Sequence, residues 1–377
     1  MPMNPEQKII LISFLLLLNS CITPFIPHTG EDNKLLVVEG LITDQLDTNT
    51  IKVSRSLPLG IRSNSKPVNG CIVTVSDDLG DIYRFKETIA GTYVTDPSEF
   101  QGVIGRFYTL HINTSNASNN LNYESSPMEL KPVPAIDSVY YEKVTIAEPA
   151  GGWTRKEGCQ IYLNTNDTSN KCKFYKWDFN ETWEFQLPYP VTNWRCWVSN
   201  NASPINIKTT SGLAENRIVR HPLNFISNNT DRLKEKYSIL VNQYSLNENE
   251  YVYWEKLQSI TESIGTLYDI TPASVPGNIY CIENPTETVL GYFSVSAKKS
   301  KRIFIKDRFL GLVNLYSYDD CYGDTVGGGT FIPNLNTTVW ILIDHSPDWV
   351  VITRNKGCAD CTVRGTNREP DFWNKSN

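Results

Sequence analysis

The chain has 377 residues, a formal net charge of −6 and 20% charged residues. This acidic balance argues against a nucleic acid as the partner, because nucleic-acid binding needs a basic face. A hydrophobic content of 40% and an aromatic content of 11% exclude a disordered chain. The length is sufficient for two or three domains with their own cores.

Residues 1–20 have the pattern of an export signal. Lys8 precedes an apolar run of about ten residues, Ile9–Leu18, which is shorter than the roughly 20 residues that a membrane-spanning helix needs. The following Leu-Asn-Ser-Cys, ending at Cys21, resembles the lipobox of bacterial lipoproteins, in which the cysteine takes a diacylglycerol and becomes the first residue. The alternative is an ordinary secretory signal with an incidental cysteine. We expect a lipid anchor on Cys21 and a flexible tether over residues 21–33.

Residues 34–131 predict an N-terminal β-sandwich. Six short segments rich in Val, Ile, Thr and Tyr recur at a spacing of roughly ten residues, which is typical of immunoglobulin-like or prealbumin-like sandwiches. They are Leu35–Ile42, Thr50–Arg55, Cys71–Ser76, Ile82–Lys86, Gly91–Thr95 and Arg106–Ile112. Asp77, Asp78 and Asp81 resemble calcium ligands, but a turn between two strands explains them better.

A proline-rich joint at residues 131–134 precedes a larger β-rich domain over residues 135–377. Tyr175, Trp177 and Phe179 alternate with polar residues, and so do Trp183 and Phe185. Such aromatics either fill the core of a second sandwich or form an exposed platform for sugars, and strict period-two alternation favours the core. The fold class is therefore mainly β, with two tandem β-sandwich domains.

At least one helix, near residues 246–264, is expected to pack on the second domain. Ser245-Leu-Asn-Glu248 predicts a capping box, and Gly265 predicts the end of the helix. An apolar stripe at helical spacing predicts a core-facing side. Its members are Tyr253, Trp254, Leu257, Ile260 and Ile264.

Eight cysteines remain after Cys21, an even number that permits disulfides in an exported protein. Cys159 and Cys172 flank a predicted hairpin and are expected to be neighbours. The Cys358-Ala-Asp-Cys361 motif lies in an extended or turn-like context, which favours a structural staple over a redox or zinc role. One of its cysteines is expected to reach Cys321 or another distant partner.

The sequence shows no catalytic motif. The four histidines are dispersed, and His345 stands out only because Asp344 precedes it. Glu181 and Glu184 would suit a glycosidase only if they faced one another. We therefore expect no enzymatic activity, no cofactor and no metal site.

Four blocks of the chain carry a family resemblance: Leu36–Asp44, Pro67–Asp78, Tyr253–Ser296 and Cys358–Trp373. In these blocks the chain resembles the lipoprotein family catalogued as domain of unknown function four-two-four-nine, which is typical of Bacteroidota. The resemblance implies an outer-membrane component, often paired with a TonB-dependent transporter barrel. It offers no catalytic or binding residues to carry over, and the ligand-binding residues stay unknown.

The expected function is that of a lipid-anchored, non-enzymatic accessory or interaction subunit of a TonB-dependent transporter system. The alternative is a surface lipoprotein that captures a glycan or peptide through exposed aromatic residues. Both interpretations place the protein at the outer membrane, and either the cell surface or the periplasmic face fits the sequence.

Overall fold

A computed structural model describes most of the chain after the predicted tether. The described residues are 35–57, 65–114, 120–147, 155–202, 204–263, 275–306, 311–318, 321, 324–327, 341–346 and 349–374. The predictions for the signal peptide, for Cys21 and for the tether lie outside these residues, as do Ile264 and Gly265.

The fold is mainly β, as predicted. The first nine strands are β1 Leu36–Thr43, β2 Thr50–Arg55, β3 Lys66–Pro67, β4 Ile72–Asp77, β5 Ile82–Ile89, β6 Thr92–Val94, β7 Phe107–Asn113, β8 Asn122–Ser125 and β9 Met128–Glu129. The next seven are β10 Ile136–Ala147, β11 Arg155–Asn166, β12 Phe174–Gln186, β13 Arg195–Asn201, β14 Asn206–Thr209, β15 Arg217–Ser227 and β16 Tyr237–Ser245. Helix α1 Glu248–Ser263 follows, then β17 Ile279–Cys281, β18 Leu290–Ser296, β19 Lys298–Ile305, β20 Asp324–Gly327, β21 Ile341–His345, β22 Trp349–Thr353 and helix α2 Lys356–Ala359.

An 11-stranded sheet contains all of the strands predicted before the proline-rich joint. Its order is β17-β8-β7-β4-β5-β6-β2-β1-β18, with β3 paired to β2 and β9 paired to β7. The sheet also contains β17 and β18, which come from beyond residue 131. The chain therefore returns after the proline-rich joint to extend the first sheet. The domain boundary at that joint stays a prediction. Alternate side chains such as Val73 and Val75 are buried, which is the pattern of half-buried strands.

The pairing of β1 with β18 is parallel and brings Val38 opposite Gly291. Gly291 has a φ of +88°, and a Cβ added there would lie 2.0 Å from the carbonyl oxygen of Val38. Only glycine fits this close approach of two backbones. The contact holds β18 against β1 and so fixes the surface on which helix α1 lies.

Two further sheets pack face to face after the joint. One has the order β13-β12-β16-β19 with β14 on β12, and the other has the order β10-β11-β15. Trp177 of β12 donates a hydrogen bond to Gln243 (2.8 Å), which donates to the Thr165 hydroxyl of β11 (3.1 Å). The Trp177 ring also lies 4.6 Å from that of His221 on β15. Burial of Tyr175, Trp177, Phe179, Trp183 and Phe185 confirms that the alternating aromatics form core.

The predicted neighbourhood of Cys159 and Cys172 is wrong. Both cysteines are buried free thiols, because the predicted hairpin does not form. Strand β11 continues from Arg155 to Asn166 and pairs with β10 and β15, whereas β12 belongs to the other sheet. At about 3.3 Å per strand residue, Cys159 lies roughly 20 Å from the end of β11 that approaches Cys172.

The two cysteines of the C-terminal motif form disulfides with different partners. Cys358 pairs with Cys321, and Cys361 pairs with Cys196 of β13. The link between Cys358 and Cys321 is the one that the sequence suggested. The second link attaches the C-terminal segment to β13, where Trp197 and Thr366 also exchange backbone hydrogen bonds. The motif therefore joins the C-terminal segment to two other parts of the chain through disulfides.

Helix α1 begins at Glu248, close to the predicted start, but Ser245 does not cap it. Ser245 is the last residue of β16, and its hydroxyl bonds to the Lys131 carbonyl and the Ala297 amide. The capping-box prediction is therefore wrong, since Ser245 belongs to strand β16 and its hydroxyl bonds to other segments. Among the described residues, no helix is long and apolar enough to cross a membrane.

Candidate functional site: a cavity beneath helix α1

A cavity of about 440 Å³ lies between the first sheet, helix α1 and strand β12. We call it the α1 cavity. Side chains from β1, β2 and β18 line one side, and side chains from α1 and β12 line the other. The sheet contributes Glu39, Leu41, Thr50, Lys52, Tyr292 and Ser294, and the opposite side contributes Lys176, Tyr253, Trp254 and Leu257. Its volume falls within the range of small-molecule sites.

The apolar stripe of helix α1 lines this cavity in part. Tyr253 is buried, whereas Trp254 and Leu257 are only half-buried. The Tyr253 ring lies 4.7 Å from the Tyr292 ring of β18 and 5.4 Å from the Trp254 ring. The prediction that the whole stripe is core is therefore too strong, because two of its residues border open space.

Lys176 places a cation beside the aromatic residues. It occupies a position of β12 between the core residues Tyr175 and Trp177, so its side chain leaves the opposite face of the strand. Its Nζ lies 3.4 Å from the centroid of the Trp254 ring. In the part of the chain that the structure describes, the ammonium group of Lys176 makes no hydrogen bond or ion pair. Burial lowers the pKa of its ammonium group, since desolvation disfavours the charged form.

Glu250 contacts the N–H edge of the same indole ring. Its side chain is only 1% exposed, and one carboxyl oxygen accepts a hydrogen bond from Trp254 Nε1 at 3.3 Å. The second oxygen is buried without a hydrogen bond. Burial raises the pKa of Glu250 to about 7, although the nearby Lys176 charge opposes the shift.

Trp254 connects the two ionisable groups. Its π face supports the Lys176 ammonium, and its N–H donates to Glu250. The cavity thus combines an aromatic surface with a cation whose side chain makes no ion pair among the described residues. Such a combination suits an organic ligand that has both a charged group and an apolar body.

The two glutamates considered for glycosidase chemistry do not form a pair. They lie three residues apart on β12 and therefore point to opposite faces. Glu181 accepts a hydrogen bond from Tyr237 at 2.9 Å and lies 3.1 Å from Arg232. Glu184 accepts two hydrogen bonds from Arg195, at 2.8 and 3.0 Å. Each carboxylate is neutralised by its own arginine, which is the arrangement of a structural ion pair.

The remaining candidates lie apart from the cavity. His345 is exposed at the end of β21. The carboxylate of Asp77 accepts hydrogen bonds from the amides of Leu79 and Asp81 and pairs with Arg106, which confirms the turn. Within the described ranges, no group of three or more His, Cys, Asp or Glu residues could hold a metal ion.

Comparison with known families gives one match. The model of a family described as Domain of unknown function (DUF4249) matches residues 22–302, about three quarters of the chain. The chain belongs to this family. The match includes the residues of the α1 cavity and strands β17 and β18 at the two ends of the first sheet. The C-terminal cysteine motif lies beyond it. A search of curated proteins found no significant match.

Sequence reasoning missed the α1 cavity. The pattern identified Lys176 only as a polar residue between core aromatics, and it gave no role to Glu250. Their proximity depends on the return of the chain to β18, which joins residues separated by more than 250 positions, as in the pairing of Val38 with Gly291. No local pattern indicates such a contact.

Proposed function

We propose that this member of the family is a lipid-anchored, non-enzymatic accessory or interaction subunit of a TonB-dependent transporter system in the outer membrane. The lipobox ending at Cys21 carries the proposal, because it predicts attachment to a membrane through a lipid. The family resemblance supports the transporter association.

Three buried acids outside the α1 cavity are held in ion pairs, which fits a structural role for these three groups. Glu181 and Glu184 are both paired with arginines, and another buried acid, Asp231, is paired with Arg364. These ion pairs stabilise the two packed sheets that follow the proline-rich joint, together with the attached C-terminal segment.

Purification from outer membranes tests the transporter association. A C-terminally tagged copy is extracted in mild detergent, and the proteins that accompany it are identified by mass spectrometry. We expect a TonB-dependent barrel in a ratio near one to one. A Cys21→Ser variant serves as the control, because it should lose the membrane anchor. Recovery of the lipoprotein alone, under conditions in which known barrel complexes survive, would contradict the proposal.

The α1 cavity favours a second candidate, direct capture of a glycan or peptide ligand. This function does not exclude the first, since a transporter partner can both hold and deliver a ligand. Calorimetric screening of small glycans and peptides against the detergent-extracted protein tests it. A Leu257→Trp variant, which places a large side chain at the edge of the cavity, should lose binding. Equal binding by this variant would place the ligand elsewhere.

A further inference from the structure

We propose that the α1 cavity binds a small carboxylate with an aromatic or branched aliphatic body, and that the Lys176 ammonium receives the carboxylate. The proposal rests on the second candidate function and specifies its ligand class. The same chemistry is present in the C-terminal residue of a peptide and in a free organic acid.

The position of Lys176 supports an anionic ligand. Lys176 is half-buried, and among the described residues its ammonium group makes no hydrogen bond or ion pair; it lies over the Trp254 ring, with the Glu250 carboxyl group nearby. A cation–π contact is weaker than a hydrogen-bonded ion pair with a carboxylate in a desolvated site. A buried charge without such a partner is costly. A ligand carboxylate would supply the missing hydrogen-bond acceptors.

The charges around the cavity favour an anion with a single charge. Glu39 and Lys52 are opposite each other in the pairing of β1 with β2, and their charges offset. Glu250 is not among the residues that line the cavity, so Lys176 contributes the positive charge that a monocarboxylate would neutralise. A phosphate would place a second negative charge near Glu39 and Glu250. A neutral sugar would leave the ammonium without a counter-charge.

The aromatic residues favour a ligand with an apolar body. Tyr253 and Tyr292 form a continuous surface, with their ring centroids 4.7 Å apart, and Leu257 extends it along helix α1. Burial of an aromatic or branched group against this surface contributes hydrophobic free energy. A volume of about 440 Å³ accommodates one such side chain together with its carboxylate.

Isothermal titration of the full lipidated protein in detergent tests this assignment. The probes are N-acetyl-phenylalanine, its neutral amide, 3-phenylpropionate and the peptide Ala-Ala-Phe. We expect at least one acid to bind about tenfold or more tightly than the amide, because only an acid can pair with Lys176. Binding of the peptide alone identifies a peptide C-terminus, and binding of phenylpropionate alone identifies a free acid. Failure of every acid, or equal binding of acid and amide, would overturn the proposal.

Two variants separate ligand recognition from folding. Lys176→Met should abolish the preference for acid over amide while leaving the thermal midpoint of unfolding unchanged or higher, since it removes a buried charge. Lys173→Met is the matched control, because Lys173 is exposed just before the same strand, and it should bind like the wild type. If Lys176→Met fails to fold, Leu257→Trp replaces it and should also lose acid binding. An unchanged preference for acid in the variant that folds would contradict the proposal.

Recovery of the barrel is measured on the same preparations. If the wild-type protein binds no acid but is recovered with the barrel, only this inference is refuted. If the wild-type protein binds an acid but is recovered without the barrel, only the transporter association is refuted.

Discussion

Glu250 makes the stability of the protein depend on pH in an unusual direction. Its pKa is raised from 4.5 in the unfolded chain to about 7 in the folded protein, because the buried carboxyl group is desolvated. The folded state therefore binds the proton more tightly than the unfolded state does. The free energy of unfolding should fall as pH rises from about 4.5 to about 7, and this contribution should be constant above that range.

The magnitude follows from the shift. A change from 4.5 to about 7 corresponds to about 3 kcal/mol, at roughly 1.4 kcal/mol per unit. Glu250→Gln removes the titration but keeps an oxygen that can accept the Trp254 hydrogen bond. Relative to the wild type, this variant should gain about 3 kcal/mol in stability between pH 4.5 and pH 8.

Urea unfolding followed by circular dichroism, with the disulfides intact, measures the effect across this pH range. Taking the difference between variant and wild type cancels the titration of every other group that the two proteins share. Glu248→Gln is the control, because Glu248 is exposed in the same helical turn and should show no such trend. A difference between the Glu250 variant and the wild type that stays constant with pH would refute the reasoning.

Three other perturbations test separate parts of the fold. Burial lowers the pKa of His221 to about 4, so the free energy of unfolding should fall as pH falls from 6.5 towards 4. Between pH 7.5 and pH 5 this loss should be on the order of 2 kcal/mol, and it should be absent in a His221→Phe variant, as measured by thermal unfolding at the two pH values. Cys361→Ser opens the link to Cys196 and should cost about 2–5 kcal/mol in urea unfolding, whereas an unchanged midpoint would show that the link is not formed. Gly291→Ala should lower the thermal midpoint by several degrees, because its Cβ would meet the Val38 carbonyl. A stable Gly291→Ala protein would contradict the pairing of β1 with β18.

Local alternation predicted the strands well, because the burial of one face is a property of each segment. The pattern over Cys71–Ser76 predicted strand β4, Ile72–Asp77, to within one residue. The aromatic residues of β12 were identified as core for the same reason. Strand partners were harder to predict, since β11 and β12 follow one another in the chain yet belong to different sheets. The prediction that Cys159 and Cys172 are neighbours was wrong for that reason.

The α1 cavity could not be predicted because its chemistry depends on distant segments. Lys176 meets Trp254 only where β12 passes beneath helix α1, and the raised pKa of Glu250 depends on burial that a sequence pattern does not show. The sequence predicted that one cysteine of the motif would reach Cys321 or another distant partner, and the Cys321–Cys358 link agrees with this. The predicted extended context is wrong, because Cys358 lies in helix α2, Lys356–Ala359. The pairing of Cys361 with Cys196 required the fold.

Native mass spectrometry of the detergent-extracted protein tests the central claim most directly. It measures both the covalent mass of the lipoprotein and the mass of any assembly that it forms. We expect a chain that begins at a lipid-modified Cys21 and is bound to a single TonB-dependent barrel. An unmodified chain without a membrane partner would contradict both the anchor and the proposed function.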